Sequence, residues 1–338
     1  MDLTTVMIMT PMQDIHFPDV KALNGATALS HLGIISAEGA EVASFLHGQL
    51  SQDVTGQSPD QARLAAFCSA KGRMLASFIV IKPQPEAFCL ITDAQVLPAA
   101  LKRLSMFVLR AKAKLTDAAG KLSAVGLMGQ AARDWLGEVA TIEPWQSSPH
   151  APSGGQVVRL PDVLGAARWL WIGPVEAAQA ITQTLPALPL PAWQWLEVMS
   201  GVVRIEPATA DQFVPQMVNY ELVGGVHFQK GCYPGQEIVA RSQYRGTLKR
   251  RTFLLHGQAP MQAGQEVFSA ADPTQPAGMV ANAAAIPTQD GQVGAAFSAL
   301  VELKWQALET GWHLGSADGP ALELGTMPYE VPLGTSDV

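Results

Sequence analysis

Residues 230–237 read Lys-Gly-Cys-Tyr-Pro-Gly-Gln-Glu, and this octapeptide decides how the rest of the chain is interpreted. It places Cys232 two residues after Lys230, beside a Pro-Gly turn that leads into a predicted short helix. A nearby ammonium group and a helix N-terminus both favour the ionised form of a thiol. The pattern therefore predicts that Cys232 is a reactive group and that Lys230 supports it.

The residues around the thiol have alternative roles that the sequence leaves open. Cys232 could instead fix a tight turn, and Lys230 could cap the solvent side of the loop. Tyr233 could stack on a flat ligand or pack in the core. Gln236 and Glu237 stand where the helix begins, so Glu237 could contact a ligand or only complement the helix dipole.

After the octapeptide, the eleven residues 241–251 contain five positive charges and no acidic residue: Arg241, Arg245, Lys249, Arg250 and Arg251. Arg241 and Arg245 are four residues apart and would share one face of a helix. They could hold a ligand carboxylate through bidentate contacts or form a surface stripe. The net charge of −7 argues against strong direct nucleic-acid binding by the whole surface.

The composition indicates an ordinary globular protein, with 48% hydrophobic and 15% charged residues in 338. No apolar run reaches the roughly 18 residues that a membrane helix needs, so we expect no membrane association. Cys68 and Cys89 lie in strand-like apolar runs and are predicted to be small buried hydrophobic residues. The cysteines lack metal-ligand spacing and cannot form a disulfide framework, which predicts no metal site and a cytoplasmic location.

The order of predicted elements indicates an α+β fold with an internal duplication. A strand-helix-strand-strand-helix pattern runs through residues 25–120 and recurs in residues 121–246, as in two ferredoxin-like (split βαβ) units. Residues 247–330 read as short strands with turns, which predicts a small antiparallel β-barrel. Residues 1–24 lack a secretory signal and are predicted to be a loose N-terminal extension.

The segment 213–251 closely resembles the YgfZ family of folate-binding proteins, through residues 215–219 and the octapeptide. The resemblance extends to residues 45–55, 71–73 and 278–283. These proteins are relatives of the glycine-cleavage T-protein, an aminomethyltransferase. They act in assembly or repair of iron–sulfur clusters, and thereby in tRNA methylthiolation. The resemblance implies a T-protein-like fold around a central folate pocket, with tetrahydrofolate or a derivative as ligand and iron–sulfur or tRNA-modifying enzymes as partners.

The resemblance also implies which residues would contact the folate. Trp193 lies where the family has a tryptophan associated with folate binding, although it could equally be an apolar anchor. A second such aromatic residue is replaced here by His31. Gln216 and Asn219 are amides in a loop predicted to line the pocket, bonding either the pterin or the backbone. Arg241 and Arg245, already described, could hold the glutamate tail.

Two departures from the T-protein pattern argue against glycine cleavage. Alignment of the turn at residues 72–73 places Ala76 and Ser77 where acidic residues are expected, and neither can transfer a proton as a carboxylate does. Met199 stands where an acid would recognise the pterin. We therefore expect a folate-binding accessory factor, monomeric, with a reactive Cys232 near the tetrahydrofolate pocket that performs redox or one-carbon chemistry or ligates iron transiently with a partner. An aminomethyltransferase and a tRNA-binding module that uses the basic stripe remain the alternatives.

Overall fold

The computed structural model describes residues 15–244, 248–304 and 311–332. The first part of the chain contains two helices and six strands: β1 (Gly25–Ala28), β2 (Leu32–Glu38), α1 (Val42–His47), β3 (Ala62–Cys68), β4 (Met74–Gln84), β5 (Ala87–Asp93), α2 (Leu97–Val108) and β6 (Lys114–Asp117). Five of these strands form an antiparallel sheet in the order β3-β4-β5-β2-β6. This order is a split βαβ unit with β3 added at one edge.

The second sheet repeats this arrangement. Its elements are β7 (Leu122–Met128), α3 (Gly129–Leu136), β8 (Ser147–His150), β9 (Gly155–Val163), β10 (Ala166–Pro174) and α4 (Val175–Thr184). The strand order is β1-β7-β10-β9-β8, so strand β1 completes a sheet built mainly from later residues. The division of the chain at residues 25 and 120 remains a prediction, and β1 crosses it because it pairs with β7.

The remaining elements are two helices and a barrel: α5 (Leu190–Met199), α6 (Gln236–Tyr244), β11 (Arg250–Gly257), β12 (Glu266–Ser269), β13 (Asp272–Pro287), β14 (Val293–Lys304), β15 (Trp312–Leu314) and β16 (Ala321–Leu324). The strands from β11 to β16 close into an antiparallel barrel in the order β11-β14-β13-β12-β15-β16. The predicted fold class, a duplicated ferredoxin-like body with a C-terminal barrel, is confirmed. Among the described residues, none of the helices combines the length and the apolar character needed to span a membrane.

Helix α5 lies at the centre of the molecule. Its sequence, Leu-Pro-Ala-Trp-Gln-Trp-Leu-Glu-Val-Met, is apolar on nearly every face, which is the pattern of a helix enclosed on all sides. It packs against both sheets and the barrel strands β13 and β14, in one core cluster that includes Trp193 and Trp195. Glu197 is the only charged residue of this helix.

The N-terminal segment is packed where the structure describes it. Val20 and Leu23 are buried in the central core cluster, so residues 15–24 are not loose as predicted; residues 1–14 lie outside the described chain. The prediction for the two early cysteines is confirmed. Cys68 and Cys89 are buried in strands, and burial raises the pKa of these thiols to about 12 and about 11.

The octapeptide is fixed to the first sheet by a contact between two glycines. Gly72, in the turn between β3 and β4, and Gly235, just before α6, both have a positive φ, of 72° and 78°. A Cβ on Gly235 would lie 2.6 Å from the Cα of Gly72 and 2.3 Å from the carbonyl oxygen of Ser69. Because no side chain fits there, this contact sets the position of the loop that carries Cys232.

We expect Gly235→Ala to lower the free energy of unfolding by about 2–4 kcal/mol, from left-handed backbone strain and the clash with Gly72 together. Gly224→Ala is the matched control, because Gly224 has a φ of 80° with no atom within 4 Å of its Cβ position. The control should lose only the backbone term, about 1–2 kcal/mol. If both variants lost the same free energy of unfolding in urea denaturation, the contact between Gly72 and Gly235 would contribute nothing.

Candidate functional site

A largely apolar cavity, called cavity A, lies between the facing sheets beside α5. Its space between atoms, including solvent at the opening, is about 580 Å³, of which about 90 Å³ can hold the centre of a water-sized sphere. Both sheets, α5 and the segment that follows it contribute to the wall: Leu32, Leu64, Ser77, Phe78, Ile79, Ile91, Thr92, Trp145, Leu160, Arg168, Glu197, Ser200, Val202, Val203, Arg204 and Tyr220.

A second, more polar cavity, called cavity B, lies between α5 and barrel strand β13. It contains about 980 Å³ of space, opening included, and shares Glu197, Val202 and Arg204 with cavity A. His31, Asp93, Glu206 and Asn282 are among its other wall residues. The two cavities therefore meet at one carboxylate and one guanidinium.

The carboxylate of Glu197 is held by three donors. Trp193 donates its indole N–H to Oε1 at 2.9 Å, Arg204 donates Nη1 to Oε2 at 2.5 Å, and Nε2 of His31 lies 3.0 Å from Oε2. Burial alone would raise the pKa of Glu197, but the charge of Arg204 and the bond to His31 overcome it and lower the pKa to about 2. The side chain keeps 20% of its surface accessible, so an ionised carboxylate is presented to both cavities.

Two other residues in the wall of cavity A, Arg168 and Thr92, each have one polar atom without a hydrogen-bond partner among the described residues. Arg168 is buried, and its Nε donates to the carbonyl of Pro161 at 3.2 Å, whereas Nη1 has no hydrogen-bond partner among the described residues. Burial lowers the pKa of Arg168 to about 10, and the negative charge of Glu197 opposes this. The hydroxyl of Thr92 is likewise buried and has no partner within the described chain. Unsatisfied donors in a cavity wall suit a ligand with polar edges.

Trp193 orients Glu197 and is not an open platform for a ring. It is fully buried, and a Cβ on Gly126 would lie 2.6 Å from the indole. The guanidinium of Arg168 lies 5.7 Å from the ring centroid. Of the two roles considered for Trp193, the structure favours the anchor, and its link to the cavities is the bond to Glu197.

The side-chain amides of Gln216 and Asn219 are bonded to backbone carbonyls. Gln216 donates to the carbonyl of Val239 in α6 at 2.8 Å, and Asn219 donates to the carbonyl of Thr252 in β11 at 2.7 Å. Both side chains are fully buried, and neither lines cavity A or B. Of their two predicted roles, the structure shows bonding to the backbone.

The octapeptide places its thiol at the surface. Cys232 is exposed and lines neither cavity, so the structure does not bring it to either candidate folate cavity as predicted. Lys230 donates to the backbone carbonyl oxygens of His47 and Leu50, the latter at 2.7 Å. Burial lowers the pKa of Lys230 to about 8, against the opposing charges of Asp53 and Cys232.

Tyr233 packs beneath the loop instead of facing a cavity. It is buried, its hydroxyl pKa is raised by that burial, and the Nζ of Lys230 lies 4.9 Å from its ring centroid. Gln236 lies 3.5 Å from the carbonyl of Gly231 and so bonds only within the loop. Neither residue is brought to cavity A or B.

The basic series after the octapeptide is largely paired with carboxylates. Arg241 bonds Glu237 one turn away at 3.1 Å, with both side chains exposed. Arg250 pairs with Glu302 at 2.7 Å, and buried Arg251 pairs with Glu221. Arg245 lies outside the described residues, so the predicted contact with a glutamate tail concerns Arg241 alone here.

Met199, where the alignment expected an acid, is buried in the core and lines neither cavity. Glu197, two residues earlier in α5, lines both cavities and was not among the residues predicted from the sequence. The signal that could have found it is a lone acid in an otherwise apolar helix. Ala76 faces the helix side of the first sheet, and Ser77 faces cavity A, where its Oγ accepts the backbone N–H of Ile205 at 2.9 Å.

Known proteins resemble this chain in sequence and in fold. Residues 16–149 match the family described as the GCVT N-terminal domain. The tRNA-modifying protein YgfZ of Yersinia pseudotuberculosis serotype O:1b (strain IP 31758) is 30% identical over 236 residues, covering 69% of this chain and 71% of that protein. The tRNA-modifying protein YgfZ of Colwellia psychrerythraea is 32% identical over 233 residues, covering 68% and 71%.

The fold agrees with the sequence comparison. The crystal structure of aminomethyltransferase T of the glycine cleavage system from Bartonella henselae superposes with a TM-score of 0.71 at 18% identity. The match covers 91% of this chain and 87% of that one, so both have the same arrangement of duplicated sheets and barrel. With this fold and these relatives, the chain belongs to the YgfZ family.

Proposed function

We propose that this protein binds tetrahydrofolate or a derivative in cavity A, with one end of the ligand reaching cavity B. The observation that carries the proposal is the ionised, accessible carboxylate of Glu197 in a largely apolar wall. A pterin has flat apolar faces and an aminopyrimidinone edge with adjacent N–H donors. A carboxylate accepts such a pair of donors well.

The chemical character of the wall residues matches that of a pterin. Leu64, Ile79 and Leu160 offer apolar surface for the ring faces. The free Nη1 of Arg168 can donate to the ring carbonyl, and the hydroxyl of Thr92 can donate or accept. When bound, a reduced folate supplies a one-carbon unit or reducing equivalents.

We further propose that the protein supports assembly or repair of iron–sulfur clusters in tRNA-modifying enzymes, such as those of tRNA methylthiolation. Relatives that match two thirds of the chain are named tRNA-modifying proteins, which supports this assignment. Cys232 is the reactive group in this proposal. It is exposed where a client enzyme can reach it, whereas Cys68 and Cys89 are buried. A single thiolate needs further ligands from the client if it binds iron at all.

The two alternative functions receive less support from the contacts. An aminomethyltransferase would be expected to have an acid at the position of Ser77 in cavity A. The Ser77 hydroxyl instead accepts a hydrogen bond from a backbone N–H. A tRNA-binding stripe needs free positive charge, but Arg241, Arg250 and Arg251 are each paired with a carboxylate. Lys249 is exposed, and among the described residues no carboxylate is paired with it.

Removing single polar groups from cavity A tests the folate proposal. We expect Thr92→Val to weaken tetrahydrofolate binding by about threefold to tenfold, the value of one neutral hydrogen bond. The free protein should be as stable as before or more so, because the hydroxyl that is lost is buried without a partner. Isothermal titration calorimetry and thermal unfolding measure the two quantities.

Glu197→Gln should weaken binding further, by about tenfold or more, because a charge-assisted bond is lost. Glu323→Gln on the exposed barrel strand β16 is the control for loss of a carboxylate elsewhere. Near-ultraviolet circular dichroism checks that the variant remains folded. Unchanged affinity in both cavity variants would place the folate elsewhere or exclude it.

Replacing the surface thiol tests its role separately. We expect Cys232→Ala to abolish restoration of methylthiolated tRNA in a bacterial strain that lacks its own YgfZ-family protein, as measured by mass spectrometry of tRNA digests. Its affinity for tetrahydrofolate should not change, because Cys232 lines neither cavity. Cys89→Ala, which removes a buried thiol, should still restore the modification. Full restoration by Cys232→Ala would remove this thiol from the function.

A further inference from the structure

The loop that carries Cys232 packs against the C-terminal end of α1, where His47 is the last residue. Lys230 is bonded to the backbone carbonyls of His47 and Leu50, which fixes the loop to this helix end. A Cβ on Gly231 would lie 3.5 Å from Nε2 of His47. The imidazole therefore faces the loop at the residue directly before Cys232.

The orientation of the imidazole is set by Asp53. Nδ1 of His47 lies 3.0 Å from Oδ1 of Asp53, and the Thr55 hydroxyl, 3.1 Å from Nδ1, donates to the same carboxylate oxygen. An ionised carboxylate only accepts hydrogen bonds, so Nδ1 carries the ring proton and Nε2 of the neutral ring carries the lone pair. Among the described residues, no hydrogen bond of Nε2 is seen, with the Cys232 thiol or with any other group.

The surroundings of His47 and Asp53 keep the imidazole neutral and the carboxylate ionised, which is the state needed to accept a proton. Burial lowers the pKa of His47, and the positive charge of Lys230 adds to this, while Asp53 opposes both. Burial would raise the pKa of Asp53, but bonds from the Gly56 N–H and Thr55 outweigh it, with Arg63 nearby at 3.8 Å. At neutral pH the ring is therefore neutral and the carboxylate is ionised.

We propose that His47, oriented by Asp53, is the proton acceptor for the Cys232 thiol. The proton moves from Sγ to Nε2, giving a thiolate and an imidazolium whose Nδ1–H remains bonded to the Asp53 carboxylate. The ammonium group of Lys230, fixed by two carbonyls, lies beside the charged pair. The inference rests on the proposed reactivity of Cys232 and adds the group that produces its nucleophilic form. No oxidant, reductant or folate is required for this step.

The rate of Cys232 alkylation by iodoacetamide against pH tests the proposal in the full-length protein. The thiolate displaces iodide, forming an S–C bond as the C–I bond breaks, and His47 releases its proton to water. Peptide mass spectrometry follows Cys232 separately from the buried Cys68 and Cys89. We expect His47→Asn to slow the reaction at pH 7 by about tenfold, with rates converging near pH 9.5, where an ordinary thiol is ionised.

Asp53→Asn should give an intermediate loss at pH 7, because the isosteric amide keeps a side chain beside Nδ1 but removes the charge that stabilises the imidazolium. His16→Asn, which replaces an exposed histidine, is the control and should follow the unaltered protein. Circular dichroism and tetrahydrofolate titration check each variant, since His47 and Asp53 line neither cavity.

Superimposable pH profiles for the unaltered protein and His47→Asn would overturn the role of His47 and leave the proposed function standing. An unaltered protein that reacts no faster than a free thiol at pH 7 would overturn both the proton acceptor and the reactive thiol. Tetrahydrofolate binding is measured independently, so its failure would bear on the folate site alone.

Discussion

The ion pair between Glu197 and Arg204 is the interaction on which the centre of the structure depends. Arg204 also lies 3.4 Å from carboxylates of Asp93, in the first sheet, and Glu206. The backbone N–H and C=O of Arg204 both bond the amide of Asn282 in the barrel. Arg204 thus connects α5 and the first sheet through its guanidinium and the barrel through its backbone. Removal of either partner would leave an uncompensated buried charge, which is costly, so the cavity floor and the attachment of the barrel are maintained by the same contacts.

The cavities and the exposed thiol of Cys232 are separate places joined by one hairpin. Gly72, in the turn of that hairpin, contacts Gly235 in the thiol loop, and strand β4 then carries Ser77 into the wall of cavity A. The loop is also fixed to the end of α1 through Lys230. A ligand that shifts β4 would therefore move the surface against which the loop packs. This arrangement is consistent with the proposed folate inside the cavities and the proposed client enzyme at the surface.

Sequence patterns predicted the architecture well because periodicity and turns are local. The duplicated units and most barrel strands follow from alternation of apolar residues, whereas β16 is a four-residue strand with little apolar pattern. Helix α5 begins at Leu190 because Pro191 is tolerated in a first turn. The directions of side chains were harder to predict, because they depend on how α5 packs against both sheets and the barrel. The alignment therefore gave the acidic position to Met199, which is buried in the core, and missed Glu197, which lines both cavities.

Strand β1 has a consequence for how the chain acquires its structure during synthesis. It ends at Ala28, yet its partner β7 begins at Leu122, and its other neighbour, at Pro186–Leu188, is made later still. On the ribosome the first sheet can assemble while β1 still has an unpaired edge, which is a site for wrong pairing. The second sheet therefore depends on a strand from the start of the chain. During vectorial translation, this earliest strand stays unpaired until β7 and the segment after α4 have been made.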